Sequence, residues 1–360
     1  MIEIKLPGSK SIAARALILD RVYGLGLTFV NMPDCDDTRE LRAALRALDS
    51  GCRRFDLGTG GTSLRFFMAY VASLPGFECT VDCSDALRRR PLAPLVDALR
   101  SAGAEIECLG AEGYAPLRIK GARLDGRNVH VNTSISSQFA SALMLVADMW
   151  QTPVLIHDAA KVVSRPYLEM TRRMVADFRA LKTSGVRNYA IEPDWSAASY
   201  FYEYRLLNPT VEFQICGLVP PSISLQGDAR CAELFAHPGG EMDMRSTPDL
   251  VPALAVGLCV AGIGYSMSGV ANLRYKESNR LAAISEEMAK AGYILEVTED
   301  SLSWRGTRCE PEAAPEFDAH GDHRIAMALW AAGFRNIRGR ESVSKSFPSF
   351  FEEISKLPLF

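Results

Sequence analysis

The chain has 360 residues, a length that predicts two domains because single hydrophobic cores rarely grow beyond about 250–300 residues. Apolar residues make up 48% and charged residues 23%, which is typical of soluble globular proteins. The net charge of −3 is too small to predict a nucleic-acid or membrane partner. Nine cysteines lack metal-ligand spacing, so we expect reduced, mostly buried thiols in a cytoplasmic protein.

Neither a signal peptide nor a membrane span is predicted. The N-terminus lacks a charged region followed by an apolar one. One long apolar run, residues 250–263, contains Pro252 and Gly257 and is shorter than the about 20 residues of a spanning helix. We therefore predict a buried helix there.

The first candidate functional stretch follows a predicted strand. Alternating apolar residues predict that strand over residues 2–6, and a Pro-Gly pair ends it. A helix over residues 12–19 follows, and Ser9 or Ser11 can cap it. Lys10, the hydroxyls and the first-turn amides form a small anion pocket. A capped helix with a solvated lysine is an equal alternative, because the Walker spacing is missing.

A repeated order of helix, glycine and strand is the second feature. Residues 91–102 predict a helix that stops at Gly103 before a strand over residues 104–108. Residues 281–290 and 293–297 repeat this order. Several copies favour a repeated α/β unit over one doubly wound sheet. Further helices are predicted over residues 37–50, 138–149, 199–206 and 325–332.

Arginines and glycines gather at helix starts in the first half of the chain. Arg15 lies one turn after Ser11 and can reach the same side of its helix. A Gly-rich turn places Gly61 and Arg65 where backbone amides can approach an anion, and Arg90 ends a basic run. Each feature alone is more typical of an ordinary turn or of a solvated charge cluster.

Hydroxyl groups mark one more helix start and one turn in this half. Ser136, Ser137 and Gln138 begin one helix; a cap explains one serine, and the second serine with the amide suggests a phosphate-binding position. Ser164 and Tyr167 lie in a turn that by itself indicates no function.

Candidate acid–base residues lie in the second half. Asp249 precedes the apolar helix, where a carboxylate most often acts as a cap. Lys276, Glu277 and Arg280 have the spacing of a surface ion-pair helix.

His323 and Arg324 open another apolar helix, although a lone histidine is more often structural, and Lys345 lies between two serines. No single motif outweighs its ordinary interpretation. Together, the helix starts of both halves predict a ligand with more than one anionic group.

These motifs resemble those of the 5-enolpyruvylshikimate-3-phosphate synthase family, in its order and along nearly the whole chain. As a set they are highly specific. They are residues 6–11 with Arg15, Gly61 and Thr62 with Arg65, Arg90 with Pro91, residues 136–139, Ser164 with Pro166 and Tyr167, Pro248 with Asp249, Lys276 and Glu277 with Arg280, residues 322–324, and residues 345–348.

The resemblance implies an α/β (α+β) enolpyruvyl transferase fold, an inside-out α/β barrel of two domains. Each domain would contain three βαβαββ units, some shortened in this chain, with the site in the cleft between the domains. Residues 9–193 would form a first domain that mainly binds shikimate 3-phosphate. Residues 1–8 plus 194–360 would form a second domain with catalytic carboxylates and phosphoenolpyruvate-binding cations.

The family transfers the enolpyruvyl group of phosphoenolpyruvate to the 5-hydroxyl of shikimate 3-phosphate and releases phosphate, without metal or cofactor. By this resemblance, the shikimate 3-phosphate site would comprise Lys10, Ser11, Arg15, Ser136, Ser137, Gln138, Ser164, Tyr167, Asp249, Asn272 and Lys276. The phosphoenolpyruvate site would comprise Lys10, Gly61, Arg65, Arg90, Gln138, Arg280, His323, Arg324 and Lys345.

Both substrates are phosphorylated carboxylates, which a cluster of cations suits because charge-assisted and bidentate arginine contacts are strong. The reaction removes a proton from a hydroxyl and adds one to a carbon. We predict Asp249 as the base and Glu277 as the acid, with Lys10 as a third catalytic residue that contacts both substrates. We also expect a monomer.

Two kinds of departure from the family pattern occur. Thr59 and Ala14 stand where the family usually has asparagine, which puts the contacts of the Gly-rich loop in question. The spacings from Arg15 to Gly61, from Tyr167 to Asp194, and from Asp194 to Asp249 are short. Residues 175–188 predict only the end of a helix and a turn, so we expect incomplete repeats but an intact site.

Two alternatives remain from the sequence. A transferase acting on UDP-N-acetylglucosamine normally uses a cysteine in a mobile Gly/Arg-rich loop, and no cysteine of this chain lies in a matching loop. The other alternative is a noncatalytic anion-binding protein on the same fold.

Overall fold

The structure is a computed structural model, and it describes residues 1–127, 129–131, 137–152, 154 and 164–358. The chain forms two compact units. The N-unit is Gly8–Ile191, and the C-unit combines Met1–Pro7 with Glu192–Phe360. The domain boundaries predicted from the sequence lie after residues 8 and 193, close to these bounds.

Helices supply most of the buried surface of the N-unit. Its helices are α1 (Lys10–Tyr23), α2 (Asp36–Asp49), α3 (Gly61–Ala72), α4 (Asp85–Arg88), α5 (Ala93–Ser101), α6 (Ser137–Val146) and α7 (Arg165–Ser184). A 3₁₀ turn, Ala147–Met149, follows α6. Helix α3 is buried along nearly its whole length, because its residues are almost all apolar or small.

Two sheets of the N-unit lie within the described residues. Their strands are β2 (Thr28–Val30), β3 (Arg54–Asp56), β4 (Glu78–Asp82), β5 (Glu105–Cys108), β6 (Leu117–Lys120) and β7 (Asn188–Ala190). Strands β2 and β7 pair in parallel. The other sheet has the order β3-β4-β6-β5, with β3 parallel to β4 and β6 antiparallel to both its neighbours. With α3 and α5, these strands form one complete βαβαββ unit.

The C-unit has its own helices. They are α8 (Trp195–Leu207), α9 (Cys231–Ala236), α10 (Val251–Val260), α11 (Arg280–Lys290), α12 (His323–Ala331) and α13 (Phe350–Ile354). The 3₁₀ helices are Gly227–Arg230, Pro248–Leu250, Ala271–Tyr275 and Arg340–Lys345. Helix α10 is buried from Val251 to Cys259, which confirms the predicted buried helix.

The four-stranded sheet of the C-unit repeats the topology of the four-stranded sheet of the N-unit. The strands are β1 (Ile2–Lys5), β8 (Phe213–Cys216), β9 (Gly240–Asp243), β10 (Tyr265–Ser268), β11 (Glu296–Val297), β12 (Ser301–Trp304), β13 (Phe317–Asp318) and β14 (Ile337–Arg338). The four-stranded order is β11-β12-β10-β9, with β9 and β10 parallel. The N-terminal strand β1 pairs in parallel with β8, and β13 with β14.

The structure corrects several local predictions. Ser9 occupies the N-cap position of α1, but its side chain makes no capping hydrogen bond, and Ser11 lies inside the helix. The strand predicted over residues 293–297 is reduced to β11, and Tyr293 instead forms an isolated bridge with Arg308. Within the described residues, no helix combines the length and apolarity that a membrane crossing requires.

All nine cysteines are free thiols. Five of them, Cys35, Cys79, Cys83, Cys231 and Cys259, are buried, and Cys309 is exposed.

Candidate active site

The first cluster of candidate residues in the N-unit surrounds the start of α1. Lys10 is the first residue of this helix, and its Nζ lies 2.9 Å from Oδ2 of Asp37 on α2. The small cavity at this point is lined by Lys10, Ser11, Ala14, Asp37, Thr38, Thr62 and Ser63. The predicted anion pocket stays a prediction; at this point the structure has a small cavity with one protein carboxylate, Asp37, beside Lys10.

A second cluster joins the Gly-rich loop to two arginines. A Cβ atom added to Gly61 would lie 2.9 Å from an Nη1 atom of both Arg65 and Arg90, so only glycine allows these guanidinium groups so close to the loop. Arg65 also donates to Oε1 of Gln138 at 3.2 Å. The structure thus brings together four residues of the predicted phosphoenolpyruvate site.

Arg15 and Tyr167 meet in a third cluster. The Arg15 guanidinium is 1% exposed, lies 5.8 Å from the Tyr167 ring centroid and donates to the Tyr167 carbonyl. It also donates to Thr171 and to the Ser11 carbonyl. Burial lowers the pKa of Arg15 to about 10.

The remaining N-unit candidates lie at helix starts. Ser137 is the buried first residue of α6. Ser164 is the N-cap of α7 in the left-handed conformation, and its carbonyl accepts the Tyr167 amide. Ser136 lies outside the described residues.

In the C-unit, Asp249 lies at the centre of a cation cluster. Its Oδ1 is 2.9 Å from Nη1 of Arg280 and 3.5 Å from Nζ of Lys276, and its Oδ2 is 2.9 Å from Nη2 of Arg324. Asp249 belongs to the 3₁₀ helix before α10 and does not cap that helix, so the cap interpretation is wrong.

Arg280 links the carboxylates of this cluster. It donates to Asp249, to Glu277 Oε2 at 2.8 Å and to Asp322 Oδ2 at 2.7 Å, and it is 1% exposed. Helix α11 begins only at Arg280, after the N-cap Asn279, so the surface ion-pair helix is also wrong. The group is a buried network.

The other predicted residues lie close to this network. Lys345 Nζ is 3.6 Å from Glu277 Oε1. His323 is buried at the start of α12, with Nδ1 3.7 Å from Asp322 Oδ1. Asn272 is nearly buried in the 3₁₀ helix before Lys276.

The electrostatics of Asp249 result from two opposing effects. Burial raises the pKa of this carboxyl, but Arg324, Lys276 and Arg280 more than compensate, so its pKa lies well below the usual range. Asp249 is therefore ionised at neutral pH, and it becomes a stronger base if anionic ligands engage these cations instead.

Sequence reasoning missed several residues of these clusters. Asp37 and Asp228 resemble ordinary first-turn acids in the sequence, but Asp37 pairs with Lys10, and burial and the Asp249 carboxylate raise the pKa of Asp228 to about 6. The buried Tyr200 phenol lies beside Arg324. No local pattern marks these residues, because their role depends on contacts between distant segments.

One group of described side chains outside the clusters consists of residue types that can bind a metal ion. Glu286, Glu287 and His320 place one donor atom each within 4.8 Å of one another. Glu287 already accepts from Lys290 at 2.7 Å and from the His320 ring at 2.8 Å. We therefore interpret the group as an ion-pair network.

Comparison with known proteins decides which family these clusters represent. The family model for EPSP synthase (3-phosphoshikimate 1-carboxyvinyltransferase) matches residues 49–235 and 226–354. A 3-phosphoshikimate 1-carboxyvinyltransferase of Bacteroides fragilis (strain YCH46) is 33% identical over 98% of this chain and 94% of its own length. The chain belongs to the EPSP synthase family. The 3-phosphoshikimate 1-carboxyvinyltransferase of Syntrophobacter fumaroxidans is also 33% identical, over 99% of this chain and 96% of that protein.

Solved structures of the EPSP synthase family share the fold. The EPSP synthase of Acinetobacter baumannii superposes with a TM-score of 0.72 at 21% identity, over 99% of this chain and 95% of that one. The predicted two-domain α/β enolpyruvyl transferase fold is thereby confirmed. The alignment with the B. fragilis relative runs over 392 positions, whereas this chain has 360 residues. This chain therefore lacks residues that the relative has, in accord with the short spacings between its motifs.

Proposed function

We propose that the chain transfers the enolpyruvyl group of phosphoenolpyruvate to the 5-hydroxyl of shikimate 3-phosphate and releases phosphate, a step of the shikimate pathway for aromatic amino acids. Family membership supports this activity. The observation that carries it is the Arg280 network, in which one buried guanidinium bonds both proposed acid–base residues, Asp249 and Glu277.

The cations of both units suit the two substrates. Lys10, Arg65 and Arg90 in the N-unit lie at a helix start and at a Gly-rich loop, where backbone amides add to the attraction for an anion. Lys276, Arg324 and Lys345 supply further positive charge in the C-unit. Phosphate and carboxylate groups of the substrates would exchange places with the protein carboxylates that pair with these cations.

Asp249 acts as the base in this proposal. Three cations hold its pKa low, and substrate anions that draw Lys276 and Arg324 away from it would raise that pKa. The carboxylate then takes the proton of the 5-hydroxyl as the oxygen bonds to C2 of phosphoenolpyruvate.

Glu277 acts as the acid. It supplies a proton to C3 of phosphoenolpyruvate, which gives a tetrahedral adduct with a methyl group. Departure of phosphate breaks the C2–O bond, and Glu277 takes a methyl proton back as the double bond reforms. The proton on Asp249 leaves with the phosphate. Each such proton transfer is typically worth about 10²–10⁴ in rate.

The ligand assignments follow the same proposal. Shikimate 3-phosphate would bind through Ser11, Arg15, Ser136, Ser137, Gln138, Ser164, Tyr167, Asn272 and Lys276, with Lys10 and Asp249. Phosphoenolpyruvate would bind through Gly61, Arg65, Arg90, Gln138, Arg280, His323, Arg324 and Lys345, with Lys10. We also propose a cytoplasmic monomer, with no nucleic-acid or membrane partner, in accord with the unpaired cysteines.

A phosphate-release assay with purified protein tests the activity. We expect inorganic phosphate to appear only when phosphoenolpyruvate and shikimate 3-phosphate are both present, in amounts equal to the enolpyruvyl ether formed. UDP-N-acetylglucosamine in place of shikimate 3-phosphate should give no phosphate. Release with the sugar nucleotide, or binding of both substrates without release, would overturn the proposal.

A further inference from the structure

Glu40 of α2 contacts the Gly-rich loop directly. Both oxygens of its carboxyl group lie 3.2 Å from the Thr59 amide nitrogen, which donates to them. Gly58 has φ +51°, and a Cβ atom there would lie 1.9 Å from Glu40 Oε1. The loop backbone therefore packs on the Glu40 carboxyl so closely that a side chain at residue 58 would displace this carboxyl.

Helix α2 also contacts the first turns of α1 and α3. Asp37 lies one turn before Glu40, pairs with Lys10, and accepts the Ser63 hydroxyl through its carbonyl at 2.8 Å. Helix α2 thus contacts the loop, the first turn of α3, and the proposed ligand residue Lys10.

Thr59 makes this contact through its backbone amide. It stands where asparagine is usual in the family, so residue 59 has no side-chain amide to offer a ligand. Its backbone amide is engaged by Glu40. The loop continues to Gly61, beside which Arg65 and Arg90 lie.

Several charged groups surround the Glu40 carboxyl. On α2 they are Asp36 and Asp37. On the neighbouring elements, Lys10 of α1 pairs with Asp37, Asp56 of β3 accepts the Gly58 amide, and Arg65 of α3 lies beside Gly61. Burial raises the pKa of Glu40 to about 7, and Asp37 and Asp36 act in the same direction, against the Thr59 and Gly60 amides.

We propose that Glu40 is a positioning residue that holds the loop at residues 58–61 for phosphoenolpyruvate, and that this hold weakens when the Glu40 carboxyl ionises. The inference rests on the proposed function, because it assigns the loop to phosphoenolpyruvate. It goes beyond that function by making the affinity for phosphoenolpyruvate depend on a residue that does not contact the ligand.

The direction of the pH effect follows from linkage. When the loop packs on Glu40, the carboxyl is partly buried and titrates near pH 7; when the loop moves away, the carboxyl is solvated and titrates nearer its ordinary 4.5. The packed loop therefore binds the proton more tightly. Raising the pH from about 4.5 to above 7 favours the loosened loop, and lowering it favours the packed loop.

Two variants separate the roles of charge and hydrogen bond. Glu40→Gln keeps an oxygen acceptor for the Thr59 amide and cannot ionise, so it should hold the loop at every pH. Glu40→Leu removes the acceptor, so it should loosen the loop at every pH. Glu105→Gln, on an exposed strand residue paired with Lys120, is the control.

Hydrogen exchange of the peptide that covers residues 57–64 measures how firmly the loop packs on Glu40 in the absence of substrate. At pH 8 we expect this segment to exchange at least tenfold more slowly in Glu40→Gln than in the natural chain, and at pH 5.5 we expect this difference to be several times smaller. Glu40→Leu should exchange faster at both pH values, and Glu105→Gln should match the natural chain.

The KM for phosphoenolpyruvate is the second readout. The ratio of the natural chain's KM to that of Glu40→Gln should rise from about one at pH 5.5 to about tenfold at pH 8.5, with kcat little changed. The ionisation of the substrate phosphate, near pH 6, affects both proteins alike and cancels in the ratio.

The outcomes separate the two proposals. Equal exchange of residues 57–64 in the natural chain and Glu40→Gln at pH 8 would overturn the role of Glu40, whatever the activity. A KM ratio that does not change with pH would overturn its effect on phosphoenolpyruvate. Absence of phosphate release by the natural chain would instead contradict the proposed function, while the exchange result would still decide whether Glu40 holds the loop.

Discussion

At the scale of single residues, Arg280 links three carboxylates of the C-unit. Its buried guanidinium bonds Asp322, Asp249 and Glu277. Arg280→Ala would leave the fully buried Asp322 without this charge, and breaking a buried pair by removing one partner costs about 3–5 kcal/mol. We expect a loss of that size in the free energy of unfolding, measured by urea denaturation.

The control for this loss is Arg305→Ala. Arg305 is 73% exposed, and its Nε lies as far as 4.0 Å from Oε2 of Glu296, so this ion pair is weak. Removing Arg305 should therefore change the free energy of unfolding by less than about 0.5 kcal/mol. Fluorescence suits the measurement, since Trp195, Trp304 and Trp330 all lie in the C-unit. Equal midpoints for the two variants would show that the Arg280 network is not needed for stability.

Glu277 tests the acid–base assignment. Glu277→Gln keeps the shape of the side chain but cannot deliver a proton to carbon. We expect kcat for phosphate release to fall by about 10²–10⁴, while calorimetric affinity for shikimate 3-phosphate changes little. Glu296→Gln, on an exposed strand residue, should leave kcat unchanged. Normal turnover by Glu277→Gln would remove Glu277 from the mechanism.

At the scale of elements, the start of α8 shows a cap that matters for stability. The Asp194 side chain accepts the amides of Ser196 at 2.7 Å and Ala197 at 3.1 Å. Asp194→Ala should therefore lower the free energy of unfolding by about 0.5–2 kcal/mol in thermal or urea denaturation.

Ser9 provides the comparison, because it occupies the N-cap of α1 without a side-chain hydrogen bond. Ser9→Ala should cost clearly less than Asp194→Ala. If the two substitutions were equally destabilising, the capping bonds of Asp194 would not be the source of the effect.

The sequence predicts elements well where one local pattern determines them. The apolar run at residues 250–263 became α10, because a helix apolar on every side must be buried. Periodicity failed at Lys276 and Arg280, whose spacing suggested one helix. Asn279 caps α11 just before Arg280, so Lys276 lies outside the helix and approaches Asp249 instead.

At the scale of the whole molecule, the described residues of each unit include a four-stranded sheet from a complete βαβαββ unit, with the same strand order in both units. Motif order predicted the family and the fold. The pairing within each cluster could not be predicted, because it depends on chain segments that are far apart in sequence. Lys10 pairs with Asp37 and Arg324 with Asp249, so the cations are neutralised by protein carboxylates before any ligand binds.

The central claim is that cations of the N-unit and carboxylates of the C-unit serve one reaction. Phosphate release by Lys10→Met tests it most directly, with Lys182→Met on the exposed surface of α7 as the control. We predict that kcat/KM for both substrates falls by about tenfold to a hundredfold in Lys10→Met, since charge-assisted hydrogen bonds are worth about 1.5–3 kcal/mol, and that Lys182→Met is unchanged. Equal rates for the two variants would contradict the account.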